Sequence, residues 1–445
     1  MKRALHVRSW GMIVALPLLV ALQALAPTPV GMMILIIVAG LLLTSLIWVL
    51  NLGATLRITR TTRRDWAHTG ETLEEKFAIG NSMWLPVPWV EISSADDLPG
   101  YELRRAMAVP ARGVMRWMTR IPCTRRGIYT LGPTLLRAGD PFGLLEVTLT
   151  AQDARPFYVY PPVTMAPLLA DPPARLYGPR RSQPRNLAQA IDVSGIRAYA
   201  PGDPFNHIHW RATAHHATSG QSEIMIKEFE PEALADVWIV LDLDAVVHRG
   251  MDEASTEEYA VRLAASLSYQ MLKDQRPVGM IAHGAQPFVL TPSRDIGQLE
   301  QILRALAGMH AEGAAPLAEI LDQYVAHMRR GAHCLVLTPS RDVRWIDALP
   351  HLLSRSIPVT AFLLDTRPFV DPSQDEQAMD GEAGLEQMAN RLDALSVGSQ
   401  IVDAEVYARL NPPRAQAPIA PVEAGAEPVA TAPWVASSAV GRQGA

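Results

Sequence analysis

Cysteine is nearly absent from these 445 residues. Only Cys123 and Cys334 occur, far apart and outside any Cys-x-x-Cys or Cys/His spacing, which argues against a disulfide framework or a zinc site and fits a reducing compartment. Both thiols read as small core hydrophobes. Catalytic signatures are missing as well. There is no Gly-x-Ser-x-Gly elbow, no Gly-x4-Gly-Lys-Ser/Thr phosphate loop, no His-Glu-x-x-His and no dinucleotide-binding glycine pattern after a strand. These absences favour a protein that is not an enzyme and needs no cofactor. Internal repetition is confined to Thr-Pro-Ser-Arg-Asp, at 291–295 and 338–342. Each copy follows an expected strand and precedes an expected helix, so Ser or Asp as a helix N-cap explains it.

What is present is a chain too long for one core, so two or three folded units are expected besides any membrane segment. The net charge of −5 hides an asymmetry: arginines crowd the first third, from Arg57 to Arg126, and acids gather between Asp371 and Glu386. Beside a membrane, a basic run is an orientation signal and a contact for anionic lipid, so no nucleic-acid partner is expected. Trp10–Ala26 is apolar around Pro17, and Val30–Leu50 has no charge, long enough to span the roughly 30 Å hydrocarbon core. The first run, with Lys2 and Arg3 ahead and Ala24-Leu25-Ala26 at its end, also fits a signal peptide. The short Pro27-Thr28-Pro29 link favours a transmembrane hairpin over 1–52, with spans at about 10–26 and 30–50. Lys2, Arg3 and Arg8 at one end and Arg57, Arg60, Arg63 and Arg64 at the other orient the soluble chain into the cytoplasm.

From 53 to 162 short alternating stretches at Leu56–Thr61, Thr72–Ile79, Val87–Ser93, Val114–Ile121 and Ile128–Leu131, broken by Gly and Pro, predict an antiparallel β-sandwich with Trp84, Trp89 and Trp117 in or beside its core. Residues 163–194 read as a Pro/Arg-rich linker. Residues 195–236 concentrate Gly, Arg, Tyr, Asp, Trp and His as nowhere else in the chain. From 237 to 405 apolar strands alternate with amphipathic helices, which predicts a mostly parallel, doubly wound α/β sheet. The Ala/Pro-rich end, 406–445, reads as a disordered tail.

Two motifs then carry a family resemblance. One is Cys123-Thr-Arg-Arg-Gly-Ile-Tyr-Thr-Leu-Gly-Pro133 followed by Asp140-Pro-Phe-Gly-Leu144; the other is Arg197, Tyr199, Pro201, Gly202, Asp203, Ile208, Trp210 and Ala214, followed by Ile226-Lys-Glu-Phe-Glu230. In these the chain resembles the bacterial "domain of unknown function 58" family, over about residues 1 to 405. The resemblance implies two membrane helices, a β-sandwich and a von Willebrand factor A-like domain, with a MoxR-type AAA+ ATPase as partner. Where the family usually carries arginines, this chain has Asn206, His207 and His215, so a binding role for those arginines does not transfer.

Metal-binding A domains place Asp-x-Ser-x-Ser after the first strand, a Thr in a second loop and a later Asp, because hard cations need converging oxygen ligands. This chain has Asp242-Leu243-Asp244-Ala245-Val246, then Gly313-Ala314-Ala315-Pro316, then Pro339 after Thr338. Asp242 and Asp244 alone make a poor magnesium site, and no metal is expected. Were Asn206–Trp210 a strand, His207 and His209 would share a face, with His215 or His216 completing a transition-metal site. A metal-dependent hydrolase built on His207, His209 and His215, or on Asp242 and Asp244, is the alternative function. The preferred expectation is an adaptor in which Arg197, Tyr199, Gly202, Asp203 and Trp210 form a joint or docking surface, Arg197 paired with Asp203 and Trp210 buried beside them.

Overall fold

A strand, β1 (Lys2–Val7), precedes the two apolar helices α1 (Trp10–Leu25) and α2 (Pro29–Thr55). Thr28 caps α2, its hydroxyl accepting from the Gly31 amide at 3.1 Å, with Pro29 in the first turn where its missing N–H costs nothing. Gly31 sits close under the Gln23 and Thr28 side chains at this link. At 27 residues, α2 is about 40 Å long and apolar enough to cross a bilayer; α1, at 16, falls below that length. The structure is a computed structural model that describes residues 2–164, 193–200, 205, 208–218, 224–229, 235–370 and 381–410. These divide into two compact units, Met1–Pro162 and, beyond it, mainly Val163–Leu303 and Met309–Pro412.

The first unit is rich in β structure. After α2 come β2 (Leu56–Thr62), β3 (Trp66–His68), β4 (Thr72–Asn81), β5 (Val87–Ser94), β6 (Arg104–Val109), β7 (Val114–Pro122), β8 (Gly127–Leu131), β9 (Thr134–Gly139), β10 (Leu145–Thr150) and β11 (Arg155–Tyr160). They form a five-stranded sheet β1-β10-β9-β5-β6 and two three-stranded sheets, β2-β4-β7 and β3-β11-β8. Inward residues of the first two sheets, such as Ile92, Leu136, Val147, Phe77 and Trp117, share one core, and Val49, Leu52 and Leu56 from the end of α2 enter it. Each such burial favours the fold by about 1.5–3 kcal/mol, so the last turns of α2 belong to this unit. Both ends of the helical pair are therefore held in it, through β1 and β2. Of the three tryptophans expected in or beside the core only Trp117 is buried; Trp84 is exposed and Trp89 lies half-buried on the outer face.

The second unit opens with β12 (Val193–Ala198), α3 (Trp210–Thr218) and β13 (Met225–Phe229), with β12 and β13 antiparallel. Then follow β14 (Val237–Leu241), the two-residue strands β15 (Gly250–Met251) and β16 (Ala254–Ser255), α4 (Thr256–Lys273), β17 (Val278–His283), β18 (Pro287–Ser293), α5 (Gln298–Gly308), α6 (Leu317–Tyr324), β19 (His333–Thr338), α7 (Arg344–Ser354), β20 (Val359–Leu364), α8 (Gly381–Ala394), β21 (Gly398–Val402) and α9 (Ala404–Leu410). The six-stranded sheet β18-β17-β14-β19-β20-β21 is parallel except for β18. Trp238 and Val240 of β14 pack with side chains of α6, α7 and α8, while α4 covers β14, β17 and β19. A mixed α/β region with a mostly parallel sheet thus follows the β-rich sheets.

Two expectations are corrected. The chain keeps its structure past 405, because α9 buries Tyr407 and Leu410 and Asp403 accepts from the amides of Glu405 and Val406 at its start. Neither Thr-Pro-Ser-Arg-Asp copy caps a helix: α5 starts after Gly297 and α7 after Val343, both without a side-chain cap. Most of the 163–194 linker, and the chain from Asn411 onward, lie outside the described residues.

Candidate functional site

β17 flanks β14 on one side and β19 on the other, so the sheet's connections reverse beside β14, and it is outside the carboxyl ends of the strands at such a reversal that ligands of open α/β sheets bind. Asp242 and Thr338 stand there. Asp242 is buried, and Thr338 donates its hydroxyl to Asp242 Oδ2 at 2.6 Å while the Asp244 amide donates to Oδ1 at 3.2 Å. Asp244 in turn accepts from the Val246 amide at 3.1 Å. The second loop reaches this place by backbone alone: Gly313 N–H donates to Leu243 O and Ala245 N–H to Gly313 O. A β-carbon at Gly313 would sit 2.2 Å from His283 O, so only glycine allows that approach. His248 Nε2 donates to the Asp242 carbonyl at 2.9 Å, which holds the ring beneath the loop.

The partner of Asp242 is thus Thr338, the last residue of β19, which the sequence alone did not single out as a partner. Thr338 begins a ladder of side-chain turns in which its hydroxyl accepts from Ser340 N, Ser340 Oγ from Asp342 N, and Asp342 Oδ1 from Arg344 N. The repeated Thr-Pro-Ser-Arg-Asp was the available signal. Further along the edge, Asp365 accepts from the Arg367 backbone and guanidinium and lies 3.6 Å from Arg341 Nη2, and Tyr407 donates to the Asp365 carbonyl at 2.8 Å. Both oxygens of Asp242 are engaged within the protein, and no cluster of three or more metal-ligating side chains occurs among the described residues.

Burial raises the Asp242 carboxyl above its ordinary 3.8, and the Thr338 and Asp244 hydrogen bonds only partly oppose this. A folded value above the unfolded one means that this group favours folding fully below about 3.8 and loses that contribution as pH rises through the folded value. Asp242→Asn cannot ionise. Its melting temperature is therefore expected to gain on the wild type as pH rises from 4 to 7, whatever constant offset the lost hydrogen-bond geometry brings. Parallel pH profiles for the two proteins would refute the assignment.

The signature segment folds as a small module. Ile208 bridges to Ile226, and these two are buried, while His209 N–H donates to Met225 O. Of the conditional strand over 206–210 the described residues keep only an isolated bridge at Ile208: Trp210 begins α3, and His209 Nδ1 accepts from the Ala212 amide at 3.0 Å as the helix cap. That bond occupies Nδ1, one of the two ring nitrogens through which a histidine can bind a metal. His215 lies exposed on α3, whereas His207, Gly202 and Asp203 lie outside the described residues, and with them the expected Arg197–Asp203 pair. Arg197 lies on β12, donating to Ala198 O; Tyr199 pairs through its amide with Ile224 O and stacks on Phe205 at 6.0 Å. Trp210, expected in the interior, is 70 % exposed, and Phe205 is 72 % exposed.

Residues 195–372 match the family described as "Protein of unknown function DUF58". The chain is 26% identical over 263 residues to "Uncharacterized protein YeaD" of Bacillus subtilis (strain 168), covering 56% of this chain and 62% of that protein, less than two thirds of its length. Solved structures show partial likeness. The CARDB domain of the PF1109 protein from Pyrococcus furiosus has 11% identity and a TM-score of 0.18, over 24% of this chain and 91% of that one. Proximal thread matrix protein 1 from the mussel byssus has 13% identity and a TM-score of 0.26, over 40% and 46%. The chain thus carries a DUF58 family segment at residues 195–372 and is distantly similar to YeaD.

Proposed function

We propose that this protein is a membrane-anchored, non-enzymatic interaction adaptor. In this reading α1 and α2 form a transmembrane hairpin in the bacterial inner membrane, the β-rich unit is a β-sandwich and the α/β region a von Willebrand factor A-like domain, both on the cytoplasmic side. A MoxR-type AAA+ ATPase is the partner, docked on the module that carries Arg197, Tyr199, Gly202, Asp203 and Trp210.

The exposure of Phe205 and Trp210 carries this reading. They share the module with Ile196 and Ile224, also exposed, so among its described residues the large apolar side chains left in water outnumber the buried Ile208 and Ile226. Aromatic side chains held outward on a small scaffold are the usual anchors of protein interfaces. The return of both helix ends to one unit supports the hairpin, and the sealed Asp242 supports a role without catalysis.

Phe205→Ala/Trp210→Ala is expected to lose more than about tenfold in ATPase co-purification from native membranes, since interface anchors commonly contribute 2 kcal/mol or more. Its melting temperature stays close to the wild type, because exposed positions change stability by about 0.5 kcal/mol or less. Failure of the wild type to enrich any AAA+ ATPase, in any nucleotide state, would sink the proposal.

A further inference from the structure

The outer face of the sheet β1-β10-β9-β5-β6 holds a concavity of about 820 Å³ lined by Arg8, Trp89, Glu91, Arg104, Arg137 and Glu146, among others. Strand alternation puts them together. Val90, Ile92, Leu136, Ala138 and Val147 point into the core, so Glu91, Arg137 and Glu146 point out, with Glu91 directly opposite Arg137 across β5 and β9. Trp89 lies over Gly139, where a β-carbon would come within 2.6 Å of the indole, so the glycine makes room for the ring. The Arg8 guanidinium stands over Trp89, 5.6 Å from its centroid.

The charges here are not spent on one another. Among the described residues Arg8 and Arg137 make no ion pair, and Arg104 pairs with Glu102, which is not one of the lining residues. The position of Arg8 is fixed: its amide and that of Ser9 donate to Leu144 O, in the loop whose Asp140 accepts from Ser45 Oγ of α2. Trp10, two residues on, opens α1 and is 66 % exposed, and Phe142 of the same loop is exposed too. Arginine beside exposed aromatic residues, where apolar helices leave a folded unit, is the chemistry of a membrane–water interface.

We infer that this concavity binds the headgroup of an anionic phospholipid of the surrounding bilayer, its phosphate on Arg8 and Arg137 and its headgroup hydroxyls on Glu91 and Glu146. Guanidinium forks match phosphate oxygens, and the arginines of the lining outnumber its carboxylates, which favours a net anionic headgroup over zwitterionic choline, while the carboxylates accept from headgroup hydroxyls. The inference rests on the membrane anchoring proposed above.

The test uses the full chain in nanodiscs of phosphatidylcholine alone or mixed with phosphatidylglycerol, with retained lipid counted after mild detergent extraction. Wild type is expected to retain phosphatidylglycerol selectively, and Arg8→Gln/Arg137→Gln to retain it on the order of tenfold less, while both resist carbonate extraction from native membranes. Equal retention of the two lipids by the wild type, or unchanged retention by the double variant, overturns the inference. So does displacement of the lipid by millimolar inorganic phosphate, which would mark a small-anion site instead. Carbonate extraction of the wild type would count against the anchoring itself, a separate outcome.

Discussion

Arg60→Ala is expected to lower the melting temperature of the β-rich unit by about 10 °C or more, one of the largest single losses available in this protein. Arg60 is buried on β2 and its guanidinium meets Glu75 in a fork, Nε to Oε1 and Nη2 to Oε2, both at 2.9 Å. Its remaining Nη1 donates to Asp96 and Ser94, each at 2.9 Å, and Tyr101 donates to Glu75 at 3.0 Å. Burial disfavours the charged guanidinium, but Glu75 and Asp96 outweigh it and hold the pKa above its ordinary value. Burial and the Glu75 charge likewise push the Tyr101 phenol up. Truncation leaves two carboxylates inside the protein without their cation, at a cost of about 3–5 kcal/mol. Arg60→Lys keeps the charge and loses the fork, so it is expected to recover less than half of the loss. Thermal melts of the full chain in detergent decide it, and a shift below 3 °C for Arg60→Ala would contradict the argument.

Arg60 was read in the sequence only as one of several juxtamembrane charges, and the difference shows what local pattern can carry. Periodicity is strong in the second unit. Helix α4 shows why: its apolar face repeats over five turns from Thr256 to Lys273 and Ser255 caps it. Strands β19 and β20 are legible for a related reason: fully buried parallel strands are continuous apolar runs. β1 was missed because, of Lys2–Val7, only Val7 packs against the core, Leu5 staying 46 % exposed, and the segment becomes a strand only in register with β10. Helix α9 is seven residues long, too short for a period to show. In the site, Asp242 was legible from its place after a strand, whereas Thr338 lies 96 residues away and meets it only through sheet order. Trp210 was expected inside because aromatic residues usually are. That rule fails where a surface is kept for something else to cover, so the miss at Trp210 and the proposed docking role have the same physical origin.

Asp140 carries the second large expected effect. The Asp140-Pro-Phe-Gly-Leu144 motif that marked the family is a loop built on one buried carboxylate. Oδ1 accepts from the Leu144 and Leu145 amides, both at 2.8 Å, and Oδ2 from the Phe142 amide at 3.0 Å and Ser45 Oγ at 2.9 Å. Gly143 closes the turn at φ +71°, a left-handed conformation that a side chain would strain. Because Ser45 belongs to α2, the same carboxylate fixes the loop and ties the helix to the sheet. Asp140→Ala leaves three backbone donors and a hydroxyl without their acceptor, and a loss of about 3 kcal/mol or more follows. Asp140→Asn is expected to fall between, since either amide orientation turns an NH2 group toward a backbone N–H while the other oxygen still accepts. Ser45→Ala removes one bond and costs about 1 kcal/mol. Hydrogen exchange separates local loosening from global unfolding: in Asp140→Ala the amides of Phe142, Leu144 and Leu145 exchange faster than those of β4, while Ser45→Ala leaves all three protected. Equal exchange in the two variants would mean that the loop holds its shape without the carboxylate, and that α2 is kept in place by the packing of Val49, Leu52 and Leu56 alone.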